Sequence, residues 1–428
     1  MSNDLMVGVA EVDITPPVGT LLAGSLKPRT SKGVADPLYV KAVVLESGGK
    51  RMAYVILDLI SVERDAGDAA VELASRETGI PAAHIVWAAS HTHSGPYTRR
   101  RQADYVNKEW FDQLPQRFAE CVKKADGAKT PARMSRARGY HNGLGHNRRL
   151  RFKDGREVNT WLLNKGEEDL QCVGAAAPID PELGMLAFED MEGRMLAVLF
   201  HYTLHTNAHF GIEFSADYPG IVSERMRDQF GPNVVTLFLP GACGDINRIG
   251  LTYREIGDAL ADVMVSKLEK RSPIEGPIPL GACKRYLTVP CRDAEMDQEE
   301  RLKAAQWGEP NNDYFRNVQK QILEEGITRM DTVLQAWHIG DTSFLSLPGE
   351  VFVEWGLKIK QDSPFPWTYP VELGGDSLGY LVTRKAWEAG GYESLISWSL
   401  IDVAGVELMV DRGLEMLRQL HRSYEETA

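Results

Sequence analysis

Apolar positions alternate with polar ones, or run together in short blocks, from the start of the chain. Residues 7–14 read as a strand closed by Thr15-Pro16-Pro17, and residues 38–45 and 52–59 read as two strands joined by Ser47-Gly48-Gly49-Lys50, a hairpin signal. Residues 65–77 carry the spacing of a helix that stops at Gly79. The block His84-Ile85-Val86-Trp87-Ala88-Ala89 then predicts a buried strand that runs into the polar loop Ser90-His91-Thr92-His93-Ser94-Gly95-Pro96. The same order recurs downstream: a hairpin over 185–188 and 195–200 about Met191-Glu192-Gly193, a helix over 219–230, and a strand over 234–239 ending in Pro240-Gly241-Ala242-Cys243-Gly244-Asp245. This recurrence predicts two pseudo-repeated halves whose loops, His91/His93 and His201/His205 among them, face one cleft.

Between the halves, residues 105–125 are expected to be mostly helical with Pro115 as a break, and 140–153 to be a polar loop. Further on, helices are predicted over 253–268, 297–306, 312–324, 351–359 and 403–420, and strands over 332–339, 344–347 and 378–382. No proline-rich, serine-rich or charge-run linker interrupts the series. The expectation is one continuous α/β domain over 1–428, with mixed β-sheets flanked by helices around one metal cleft.

Composition narrows the function. The chain has 428 residues, 43% hydrophobic and 25% charged, enough for a large core. Its 60 acidic and 48 basic residues give a net charge of −12, which argues against nucleic acid or an anionic membrane as partner. No apolar run is long enough for a transmembrane segment, and the start Met1-Ser2-Asn3-Asp4-Leu5-Met6 lacks the charged and apolar regions of a secretory signal. Five cysteines without CxxC spacing fit reduced thiols, so a cytoplasmic protein is expected, and a homo-oligomer is left open.

The histidines carry the chemistry. In extended chain, residues two apart point the same way, so His91 and His93 are expected to face one pocket, and paired imidazoles are how zinc is first held. A second group follows in His201-Tyr202-Thr203-Leu204-His205 and His209; Tyr202 occupies the place of the glutamate in HExxH, which excludes that zinc-protease motif. Each histidine alone fits a structural role, but five from two strand ends is a concentration in a chain with ten. Ser346-Leu347-Pro348-Gly349-Glu350 is expected to put Glu350 in the first turn of a helix, where the positive dipole end keeps a carboxylate ionised. Cys243 reads as inert packing, and Asp217 as the cap of the following helix.

In order and approximate spacing, His91-Thr92-His93-Ser94-Gly95-Pro96, Leu204-His205-Thr206, Leu347-Pro348-Gly349-Glu350 and Gly379-Tyr380-Leu381-Val382-Thr383 resemble the catalytic domain of the neutral ceramidase family, across nearly the whole chain. The resemblance implies a zinc ion held by His91, His205, Glu350 and Tyr380, with His93 on the metal's water, Arg148 on the substrate oxygen and Asp58 orienting a histidine. The chain departs from the family where Gly244-Asp245-Ile246-Asn247 replaces a Gly-Asp-x-Ser segment. It also ends soon after the tyrosine motif, so the family's C-terminal immunoglobulin-like domain is expected to be missing. These departures, with the missing export signal, count against ceramide itself.

A zinc ion with an open position supplies hydroxide near neutral pH, which suits hydrolysis of an amide. The positive runs Arg99-Arg100-Arg101 and Arg148, Arg149, Arg151 point to a small polar, anionic N-acyl substrate, with Arg99, Arg149, Asp245 and Asn247 as substrate contacts. Two other readings stay open: a zinc-dependent lyase or epimerase, and a binding protein that keeps the metal without turnover.

Overall fold

A computed structural model describes residues 5–162, 172–293 and 311–427. Eight strands form one sheet: Met6–Asp13 (β1), Tyr39–Ser47 (β2), Lys50–Leu57 (β3), Ile85–Ala89 (β4), Thr130–Tyr140 (β5), Glu182–Asp190 (β6), Met195–Tyr202 (β7) and Val235–Pro240 (β8). Their spatial order is β8-β7-β6-β5-β1-β2-β3-β4. In one half, β1, β2 and β3 pair antiparallel, and the helix Arg64–Thr78 (α1) returns the chain so that β4 lies parallel to β3. In the other, β5, β6 and β7 pair antiparallel, and Tyr218–Phe230 (α3) returns it so that β8 lies parallel to β7. A short antiparallel contact of β1 with β5 joins them. Leu114–Gly127 (α2) and Tyr253–Leu268 (α4) follow β4 and β8 respectively.

The expected duplication is therefore present as topology, and it occurs a third time. Leu280–Pro290 (β9), Arg329–Ile339 (β10) and Thr342–Leu347 (β11) pair antiparallel. Helix Val353–Asp362 (α5) then returns the chain to Trp367–Glu372 (β12), parallel to β11.

Period-2 alternation stacks these pieces into layers. In β2, Val40, Ala42 and Val44 pack with Val71, Phe118 and Val122 of the helices, while Val43 and Leu45 face Trp337, Phe344 and Tyr369 of the second sheet. In β7, Val198 and Phe200 pack toward α3 and α4, and Ala197 and Leu199 toward the second sheet. The terminal helix Val403–Glu425 (α6) covers the outer face of the second sheet through Val406, Met409 and Leu414. The result is mixed sheets, face to face, flanked by helices.

Several expectations change. β5, β9 and β12 carry no clear apolar alternation; β5 looks solvated because of Arg136 and Arg138, yet their guanidinium groups lie 4.1 and 3.9 Å from the ring centre of Trp367. The predicted loop 140–153 holds short strands Gly145–Asn147 and Arg149–Phe152, in which Asn147 and Arg149 are buried against partners rather than water while Arg151 stays exposed. The predicted helix 105–125 is two, Lys108–Phe111 and α2, with Pro115 in the first turn of the second, where its missing N–H is harmless. The helix expected over 297–306 lies outside the described residues. The histidine loops are not repeat partners: His91 follows β4, whose counterpart is β8, whereas His205 follows β7.

Gly184 on β6 sits under Tyr369, and a methyl group there would overlap the ring. Gly184→Ala is expected to lower stability by about 1–3 kcal/mol, read as a lower urea midpoint at unchanged slope. An unchanged midpoint would mean the two sheets are less tightly packed than their contacts indicate.

Candidate metal centre

The strand ends of all three motifs meet. His91 leaves β4 with φ of +67°, a left-handed backbone unusual for a side chain of its size. The convergence of His91 and His93 thus comes from a kink, not from the extended alternation the sequence predicts. His91 Nδ1 lies 2.8 Å from the Ile60 carbonyl, His93 Nδ1 3.0 Å from that of Gly24, and His205 Nδ1 3.1 Å from that of Cys243. A carbonyl only accepts, so every Nδ1 donates and every Nε2 turns a lone pair inward. The His91 and His205 Nε2 atoms are 2.9 Å apart, those of His91 and His93 3.3 Å, and all three fall within 4.8 Å of one another. Lone pairs that close repel unless a cation lies among them. Gly24 makes the approach to His93 feasible, since a Cβ there would strike the His93 backbone and ring.

Glu350 Oε2 stands 3.4 Å from His91 Nε2 and 3.9 Å from His205 Nε2, buried and without a hydrogen-bond partner. Burial pushes its pKa up, but His91, His205 and Arg99 outweigh that and hold it well below the usual carboxylate range. Glu350 is not in a helix turn as expected: it lies on the short strand Glu350–Val351, and α5 begins at Val353. That strand pairs in parallel with Tyr380–Leu381, setting Glu350 beside Tyr380. The pairing needs Gly349, where a methyl would meet the Gly379 carbonyl, and Gly379, whose φ is +83°. Tyr380 is buried, and burial raises its pKa well above that of a free phenol. His91, His93 and His205 are a nitrogen donor group that could hold a metal ion, and Glu350 and Tyr380 line the same cavity. Burial favours the neutral form of His93.

Behind this set lies Glu372, which ends a strand interrupted by Pro370 and so carries no local sequence signal. Its Oε2 accepts the N–H of Cys243 at 3.0 Å and of Val351 at 3.1 Å, and its Oε1 accepts the Cys243 thiol at 2.9 Å. One buried carboxylate thereby fixes both the loop whose carbonyl holds His205 and the strand that carries Glu350. Burial and Glu372 push the Cys243 thiol well above its ordinary pKa, which agrees with an inert cysteine.

A cavity of about 680 Å³ opens over the cluster, lined by His91, His93, His205, Glu350 and Tyr380 together with Arg148. Arg148 Nε donates to Glu393 at 2.7 Å and Nη1 to Asn247 at 3.3 Å, while buried Nη2 has no partner. Asn247 thus positions Arg148, and Arg99 lines the same cavity.

Other predicted contacts lie elsewhere. Arg149 is held by Glu157 and Glu393 in a buried ion-pair network away from the cavity. Asp245 accepts from Asn147 and from the Val353 N–H, so it locks loop to helix rather than meeting substrate. Asp58 orients no histidine; backbone carbonyls do that, and its carboxylate accepts the Tyr39 N–H at 3.0 Å. His201 donates to the Pro370 carbonyl, and His209 packs against Tyr253. Asp217 caps α3, as expected.

Removing the acceptors of Glu372 should loosen two donors at once. Glu372→Ala is expected to weaken metal binding about 10–100-fold in a chelator competition while Glu372→Gln keeps most of it; equal affinities would show that Glu372 only fills space. Burial pushes Asp58 up to about 6. An acid whose pKa is raised by folding stabilises the fold while protonated, and that contribution disappears as pH rises through about 6. Asp58→Asn should therefore gain about 1.4 kcal/mol over the native chain between pH 5 and pH 8. Its metal affinity should stay the same, and a drop would return Asp58 to the histidines.

No protein-family model matches the chain. Over 214 residues it is 24% identical to the neutral ceramidase of Pseudomonas aeruginosa, a stretch covering 47% of this chain and 30% of that protein. The crystal structure of neutral ceramidase from that organism superposes with a TM-score of 0.73 at 18% identity, over 98% of this chain and 75% of the other. A ceramidase complexed with C2 gives a TM-score of 0.73 at 17% identity, over 98% and 76%. The chain is neutral-ceramidase-like: it has that fold throughout, and it shares sequence with one such protein over 47% of its length.

Proposed function

We propose that the chain is a zinc-dependent hydrolase that cleaves the amide (N-acyl) bond of a small polar substrate. The observation that carries this reading is the meeting, in one cavity, of three inward Nε2 lone pairs, the unpartnered Glu350 carboxylate oxygen and the unpartnered Arg148 Nη2. The likeness to neutral ceramidase supports the amide bond as the target. His91, His205, Glu350 and Tyr380 would hold the cation, which when bound supplies Lewis acidity and an acidified water.

The rest of the chemistry belongs to the chain's own residues. His93, its Nδ1 engaged by Gly24, offers Nε2 to take a proton from the attacking water and return it to the departing amine. The C–N bond breaks, a C–O bond forms, and acid and amine leave. Arg148 Nη2, kept rigid by Glu393 and Asn247, is the donor for the developing oxyanion, a role worth about 10²–10³ in rate for one hydrogen bond. Among the described residues no helix is long and apolar enough to cross a membrane.

Chelation should abolish amidase activity on N-acyl substrates and zinc restore it. His93→Ala should lose about 10²–10⁴ in kcat while still binding metal. Run in labelled water, the reaction should place solvent oxygen in the product acid. Deuterium on carbon without oxygen uptake would instead favour a lyase or epimerase, and ligand binding by inactive, metal-loaded protein would favour a binding role.

A further inference from the structure

The cavity wall is unbalanced in charge. Lys27, Arg99, Arg148 and Arg248 line it, and among the described lining residues Glu350, beside the histidines, is the only acidic one. Arg148 is paired with Glu393, but Lys27, Arg99 and Arg248 have no carboxylate within 4.0 Å among the described residues. This runs against the rest of the chain, where acids outnumber bases 60 to 48. The neighbours of Arg99 follow the general pattern: Arg100 pairs with Glu63 and Asp65, and Arg101 with Glu325.

Arg99 is also held still by neutral groups. Its Nε donates to the Ser61 hydroxyl at 3.1 Å and its Nη2 to the Ser377 hydroxyl at 2.6 Å, so the fork is oriented without its charge being cancelled. Arg248 is held similarly, through Nη1 on the Leu251 carbonyl at 2.8 Å. A guanidinium fixed by hydroxyls and facing a cavity is arranged for a bidentate oxyanion from outside. Another part of the lining is aromatic: Trp161 and Tyr392 have ring centres 5.7 Å apart, and Tyr392 and Trp398 5.8 Å. Flat apolar surface beside fixed cations suits a molecule with a charged end and an apolar one.

We propose that the cavity selects N-acyl compounds bearing a carboxylate, with Arg99 as the residue that reads that carboxylate and Arg248 and Lys27 adding to the attractive field. Neutral lipid amides are then poor substrates. The turnover half of this proposal rests on the hydrolase reading above; the binding half does not.

The matched probes are N-acetylphenylalanine and N-acetylphenylalaninamide, which differ at the carboxylate alone. Calorimetric titration of the full chain stripped of metal removes any direct attraction of the acid to a cation. The acid should bind about 10–100-fold more tightly than the amide, as for a hydrogen bond to a charged group. Arg99→Gln should erase most of that preference by weakening the acid and not the amide, and Arg99→Lys, which keeps the charge, should restore part of it. In turnover, Arg99→Gln should raise KM for the acid more than it lowers kcat. Equal binding of the two probes by the native chain, or a preference that survives Arg99→Gln in a folded variant, overturns the proposal. Preferential binding of the acid with no hydrolysis of either probe would sink the hydrolase reading and leave the carboxylate site standing.

Discussion

Three N–H···O=C bonds set the chemistry of this protein: those from Nδ1 of His91, His93 and His205 to the carbonyls of Ile60, Gly24 and Cys243. Because a backbone carbonyl cannot donate, these bonds fix the tautomer of every ring and aim three lone pairs at one point. The carbonyls belong to segments far apart in sequence, so the site exists only once those segments are docked. Much of the remaining architecture can be understood as the means of docking them.

The docking is a consequence of repetition. Each β-β-β-α-β motif ends in a parallel strand pair, and parallel pairs leave neighbouring loops at the same edge. The first motif supplies His91 and His93 after β4, the second His205 after β7, and the third Glu350 after β11 and Tyr380 after β12. Where the loops meet, backbone approaches backbone too closely for side chains. A methyl at Gly244 would strike the Glu350 carbonyl, and one at Gly349 the Gly379 carbonyl. Glu372 then binds two of the loops with a single carboxylate.

Behind the cavity, Arg148, Arg149, Glu157 and Glu393 form a buried ion-pair network. Such networks contribute little net stability after desolvation, but breaking one member leaves a buried charge unpaired. Its value here is positional: Glu393 holds two arginines at once, which fixes Arg148 on the cavity side while Arg149 disappears into the structure. Two adjacent arginines that look alike in sequence therefore end in different roles.

By itself the sequence determined the elements with strong period and clear punctuation: β1 to β4, the hairpin of β6 and β7, α1, α3, α4 and α6. These are local matters of alternation, caps and glycine stops. It also singled out His91, His93, His205 and Glu350, because rare chemistry at strand ends stands out without coordinates, and the resemblance to neutral ceramidase added Tyr380. Tertiary structure alone decided what depends on partners. Arg136 and Arg138 make β5 look exposed until Trp367 lies over them, and Arg149, Asp245 and Asp58 look like site residues until Glu157, Val353 and Tyr39 claim them. Glu372, Arg248 and Lys27 carry no local signal. A charge in sequence is only a charge, and whether it is neutralised, buried or left facing a cavity is settled by what folds against it.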